Sequence, residues 1–161
     1  MRMLTRLAIV QALAFSFGAA LAADTPADWI EVAAGPMFTV HAPPGTTFER
    51  IRTGDAFAGA FHGPGFDLAV EFGYHREILE TPNGVTKASA TKFNFDDKPG
   101  TILSGTSADA VHSHFVALHV PNVESDLLGP LSLIVTTNVA GAADEATVKR
   151  IFETVKFGYK N

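Results

Sequence analysis

The chain has 161 residues, 47% of them hydrophobic and 18% charged, a composition that suits a globular domain and excludes a disordered or fibrous chain. Twelve Lys and Arg stand against seventeen Asp and Glu, a net charge of -5, and no basic block is dense enough to track a phosphate backbone, so nucleic acid is not an expected partner. The absence of Cys excludes disulfides, thiolate metal sites, CxxC redox chemistry and Cys nucleophiles.

The first residues carry Arg2 and Arg6, then an apolar run from Leu7 to Ala20, then the small residues Ala20 and Ala22. This pattern predicts a secretory signal peptide over residues 1–22, cleaved after Ala22, because a positive start stays on the inner side and the peptidase excludes bulk. The apolar run falls short of the roughly 20 residues a spanning helix needs. Gln11, Ser16 and Gly18 also interrupt it, so no stable membrane insertion is expected after cleavage. Loss of both arginines leaves ten basic against seventeen acidic residues, a net of -7 that disfavours anionic lipid. Export without Cys or an Asn-X-Ser/Thr acceptor points to a periplasmic or secreted protein of bacterial type. Residues 23–161 are expected to form one α+β domain, long enough to bury roughly two thirds of its extended surface without a disulfide or metal.

Segments 29–34 and 37–42, parted by Gly35-Pro36, alternate as the arms of a first hairpin, which Pro43-Pro44-Gly45 ends. Residues 46–53 suggest a short edge strand. Segment 55–73 holds two alternating runs about a four-residue loop, His62-Gly63-Pro64-Gly65. Pairing Phe61 with Phe66 places Gly59 opposite Leu68, Phe57 opposite Val70 and Asp55 opposite Phe72. One face then gathers Phe57, Phe61, Phe66, Leu68, Val70 and Phe72. A slip of one residue would expose them all. The reverse face carries Ala56, Ala58, Ala60 and Ala69 with Asp67 and Glu71. Such small side chains suit either a closely packed helix or a solvated surface.

Pro82-Asn83-Gly84 and residues 96–100 read as turns bounding a strand at 85–95. Further strands are expected at 112–120 and at 131–135, the second extending toward Asn138, with a connection over 121–130. At the end, Val148, Ile151, Phe152 and Val155 fall at i, i+3, i+4 and i+7, which predicts a helix over 144–155 with Asp144 as its cap and a Glu145–Lys149 pair. Phe157 and Tyr159 continue as an extended segment. The expected architecture is an antiparallel β-sheet of about five to seven strands with the C-terminal helix packed on one face.

The order of these elements, from the strand entering the Pro-Gly turn at residues 38–45 through the Phe-rich hairpin to the C-terminal helix running into residues 151–157, resembles the PsbP/Mog1-like group. The resemblance spans most of the chain after the leader and rests on architecture. It implies an antiparallel sheet with helices packed on it, in accessory proteins that bind a protein complex rather than catalyse. It carries over no functional residue.

Six histidines invite a metal hypothesis, and only His112 and His114 have useful spacing. At i and i+2 on a strand they would project from one face about 7 Å apart at the backbone, close enough to converge on Zn or Cu. His119 has the opposite parity. Further ligands would have to come from His41, His62, His75 or a carboxylate. Asp67 and Glu71 lie four apart on one strand, about 13 Å at the backbone, beyond the roughly 5 to 9.5 Å of paired glycosidase carboxylates. No GxSxG, SxxK, GxGxxG or GxxxxGK[ST] occurs. The chain therefore reads as an exported, non-enzymatic binding or accessory protein, its partner an envelope protein or a small ligand, and with no cofactor expected. The alternatives are a metal-binding protein using His112 and His114, and a small hydrolase without a recognisable motif.

Overall fold

A computed structural model describes residues 24–52, 57–73, 81–123 and 131–158. The expected leader over 1–22, together with Asp55, Ala56, His75 and Tyr159, lies outside the described residues. The fold is α+β: the described residues form ten strands in two antiparallel sheets and one helix.

Strands β1 (Ile30–Ala34) and β2 (Phe38–Ala42) form the first hairpin, closed by the pair Ala34 and Phe38, with Gly35 in the left-handed conformation its turn requires. The short strand β10 (Lys156–Phe157) pairs with β2 and completes a small three-stranded sheet that residue patterning had not separated from the rest. The main sheet has seven strands, β3 (Thr47–Arg52), β4 (Phe57–Gly63), β5 (Phe66–Gly73), β6 (Thr86–Phe95), β7 (Lys98–Thr106), β8 (His114–Val123) and β9 (Leu131–Val139). Their spatial order is β3-β4-β5-β9-β8-β7-β6, two meanders joined where β5 pairs with β9. β3 is an edge, as its polar alternation predicted.

The β4–β5 hairpin keeps the expected faces but not the expected register. Gly63 pairs with Phe66, Phe61 with Leu68, Gly59 with Val70 and Phe57 with Phe72, a shift of two residues. The turn is the two-residue Pro64-Gly65, with Gly65 at φ 82, rather than a four-residue loop. A two-residue shift preserves which side each residue faces, so Phe57, Phe61, Phe66, Leu68, Val70 and Phe72 are all buried on one side.

The segment expected as a turn at 96–100 is shorter too. Asp96 and Asp97, both at positive φ, make a two-residue hairpin turn, and β7 starts at Lys98. Pro99 is tolerated inside β7 because the ladder to β8 starts only at Thr101. Strand β8 begins two residues later than expected and runs on through Pro121 and Asn122, which sit in a register irregularity before Val123, a position where a missing N–H costs little.

The helix α1 spans Ala142–Glu153 and is capped by extended Gly141 rather than by Asp144; the Glu145 N–H closes its first turn onto the Gly141 carbonyl at 3.0 Å. Asp144 instead lies inside that first turn, where a carboxylate favours the helix dipole. Val148, Ile151 and Phe152 point inward as their spacing required, and Val155 follows them. At the far end the Thr154 hydroxyl accepts the His41 N–H at 2.8 Å and donates to the Ile151 carbonyl at 2.7 Å, fastening the helix to β2.

The helix, the small sheet and the Phe face of the main sheet share one apolar core. Phe61 lies 5.9 Å from Phe38 and 4.8 Å from Phe48, centroid to centroid, in tilted arrangements that suit the ring quadrupoles. The helix therefore covers the phenylalanine side of the sheet. Of the alternatives for the alanine side, the solvated surface is the one observed: Ala58 and Ala60 are half-buried and Ala69 is exposed.

Candidate functional site

His112 and His114 do not share a strand face. His112 precedes β8, because Asp109 Oδ1 takes the N–H groups of Val111 and His112 at 2.7 and 2.9 Å and folds the chain into a local turn. Those two backbone bonds hold the Asp109 carboxyl below its usual range. His112 Nδ1 lies 3.8 Å from Asp109 Oδ2. His114 begins β8 and faces the helix, its Nδ1 2.6 Å from Glu145 Oε2. Lys149 Nζ approaches the other oxygen of Glu145 at 2.6 Å, the pair expected from i,i+4 spacing. Burial pushes the Glu145 carboxyl up, but the bonds from Lys149 and His114 outweigh it and leave it lowered. Each histidine thus has its own carboxylate, and His112 lies outside the strand on which the shared-face spacing was expected. Among the described residues, no three His, Asp or Glu side chains form a group able to hold a metal ion.

His119 has the expected opposite parity and is buried on the side away from the helix. On that side Leu103, Phe115 and Ala117 form a second small apolar cluster, against which Val85 packs. On the same side of β3, β4 and β5 the described side chains are half-buried or exposed. There Thr47, Glu49 and Ile51 lie across from His62, Ala60 and Ala58, which in turn lie across from Asp67, Ala69 and Glu71. Ile51 is 49% exposed, unusual for a residue of its size within a strand. The result is a shallow surface of small side chains with an apolar residue at one edge and carboxylates at Glu49, Asp67 and Glu71.

At one end of this surface His62 stands between two carboxylates. Its Nδ1 is 2.7 Å from Asp67 Oδ1 and its Nε2 is 3.5 Å from Glu49 Oε2. Residue patterning missed this group because it put His62 in the hairpin loop and Asp67 opposite Ala60. The true register sets His62 directly opposite Asp67.

A cleft of about 230 Å³ lies where α1 ends, lined by Thr25, His41, Asp96, Glu153, Thr154 and Lys156 among others. It is smaller than the roughly 300 to 1,000 Å³ of ordinary small-molecule sites. Asp96 is also engaged there, accepting the Phe157 N–H at 3.1 Å. Compared with protein-family models and with curated proteins, the chain matches none.

Proposed function

We infer that this is an exported, non-enzymatic accessory protein that binds another protein through the open face of β3, β4 and β5. One observation carries the reading: the main sheet is packed on its phenylalanine side by α1 and the small sheet, yet over these three strands its reverse presents Ala58, Ala60, Ala69 and exposed Ile51. Side chains this short leave a surface that a partner can approach closely, without the rotamer entropy that long side chains lose on contact. The carboxylates of Glu49, Asp67 and Glu71 favour a partner whose matching surface is basic, and steer its approach.

Export enters through residues 1–22, with an envelope protein as the partner class. The test is site-directed photocrosslinking in the envelope fraction, with the crosslinker at Ala60 or Ala69 and, as a comparison, at Ser89 on the distant strand β6. A specific adduct from the first two positions that is lost on Ala60→Arg supports the reading. Equal crosslinking from Ser89, or none from Ala60 and Ala69, refutes it.

A further inference from the structure

We propose that Asn83 is a site of spontaneous covalent modification, converting to aspartate and isoaspartate through a cyclic imide formed with Gly84, and that the isoaspartate form loosens the chain where it enters β6. Asparagine is a thermolabile residue, and the backbone around it decides how fast it reacts. The Gly84 backbone nitrogen attacks the Asn83 side-chain carbonyl carbon. A new C–N bond closes the ring while the bond to the side-chain nitrogen breaks, and ammonia leaves with the proton given up by Gly84. Water then opens the ring at either carbonyl. The balance is a water consumed, an ammonia released and a neutral amide turned into a carboxylate, with nothing oxidised or reduced.

The turn from Pro82 to Val85 suits this reaction. Its closing hydrogen bond runs from the Val85 N–H to the Pro82 carbonyl at 3.1 Å, so the nitrogen of Gly84, a central residue of the turn, is not held by that bond. Asn83 and Gly84 are both exposed, and water reaches them. Gly84 lies at φ 86, and no side chain of its own obstructs ring closure. Asn94, Asn122 and Asn138 are exposed too, but their backbones differ. Asn94 and Asn138 are fixed in sheet ladders opposite Pro99 and Phe115, and bulky Phe95 and β-branched Val139 follow them. Asn122 is followed by Val123, which is fully buried. Exposure alone therefore does not select among the four; the following residue and the ladder do. The product would be felt by the sheet. Val85 packs on the cluster of Leu103, Phe115 and Ala117, and it sits so close over Gly105 that a Cβ there would lie 2.7 Å from Val85 Cγ1. Isoaspartate routes the main chain through an extra carbon just before this anchor, which displaces the close-packed Val85.

The experiment follows the purified, untagged protein for days at mildly alkaline pH and physiological temperature, beside a synthetic peptide of residues 81–86 under the same conditions. Peptide mapping by mass spectrometry locates the modification, and labelling with isoaspartyl methyltransferase identifies the isoaspartate. Expected is a mass gain of about 1 Da in the segment that holds Asn83, at a rate within about tenfold of the free peptide's, since a solvent-exposed turn opens at little cost. Asn94, Asn122 and Asn138 should react at least about tenfold more slowly than Asn83. Asn83→Gln should abolish the labelling. Once the isoaspartate form is isolated by anion exchange, its amides at Val85 and Thr86 should exchange with deuterium at least about threefold faster than in the parent. Asn83→Asp adds the charge without lengthening the main chain and should exchange as the parent does. A rate more than about tenfold below that of the peptide, or modification spread evenly over the four asparagines, overturns the site. Unchanged exchange in the isoaspartate form, or an equal rise in Asn83→Asp, overturns the loosening of the chain.

Discussion

Replacing Gly59 by Ala puts one methyl group at a tight point of the main sheet. Glycine within a strand normally costs about 0.5 to 1 kcal/mol relative to alanine, so where space allows the substitution stabilises. Here an added Cβ would lie 2.7 Å from the Glu49 carbonyl oxygen and would also run into the Phe48 ring. That ring cannot swing away freely, because it stacks on Phe57 at 5.9 Å and tilts onto Phe61 at 4.8 Å. The carbonyl belongs to the ladder between β3 and β4 and is no more able to move. Overpacking of this kind costs about 1 to 3 kcal/mol against an entropic gain of about 0.5 to 1 kcal/mol, a net loss centred near 1 kcal/mol and reaching about 2.5 kcal/mol. At about 2 to 4 °C per kcal/mol for a chain of this size, Tm should fall by about 2 to 4 °C at the centre of that range and by up to about 10 °C. Ala60→Ser, one residue on and facing the half-open side, should stay within about 0.5 kcal/mol of the parent. Thermal and urea unfolding followed by circular dichroism measure both. A Gly59→Ala protein as stable as the parent, or more so, would show that β3 does not lie this close to β4.

Phe152→Ala should cost about 3 to 5 kcal/mol, because Phe152 is 1% exposed within the core shared by α1 and both sheets; helix and aromatic signals should then lose stability together, and separate transitions would contradict one shared core. Glu145→Gln removes the charge that meets Lys149 and His114, at a cost of about 0.5 to 1 kcal/mol near pH 7 for a partly exposed pair. Since the folded-state carboxyl is lowered from its ordinary 4.5, its contribution is complete above that value and is lost as pH falls through the folded-state value. Urea midpoints of the parent should therefore drop more steeply below 4.5 than those of Glu145→Gln, and parallel curves would refute the assignment. For export, N-terminal sequencing of the protein recovered from cells should read Ala23-Asp24-Thr25, and Ala22→Phe should leave the longer precursor. An intact Met1 in the mature protein would end that reading.

Turn chemistry explains where residue patterning misplaced the structure. At Pro64-Gly65 and at Asp96-Asp97 the chain reverses in two residues, and both sites had been assigned longer loops. The extra residues join the strands: His62 enters β4 and Lys98 starts β7. The first of these made the Glu49–His62–Asp67 group invisible, since the pairing of His62 with Asp67 exists only in the tighter register. At His112 the opposite happened. A residue with strand spacing was drawn into a turn by the Asp109 carboxylate, a local competition for backbone N–H groups that alternation does not register.

Residue order alone established which side chains turn inward, because inward and outward positions follow from the period of two in a strand and of 3.6 in a helix, and a shift of two residues leaves them unchanged. The buried phenylalanines of β4 and β5 and the Val148, Ile151 and Phe152 stripe of α1 were legible on that basis. Tertiary structure alone decided which face of the main sheet the helix covers, that β10 joins β1 and β2 in a separate sheet, and which polar residues meet across strands. Those outcomes depend on contacts between residues far apart in the chain, whose energies no local period encodes.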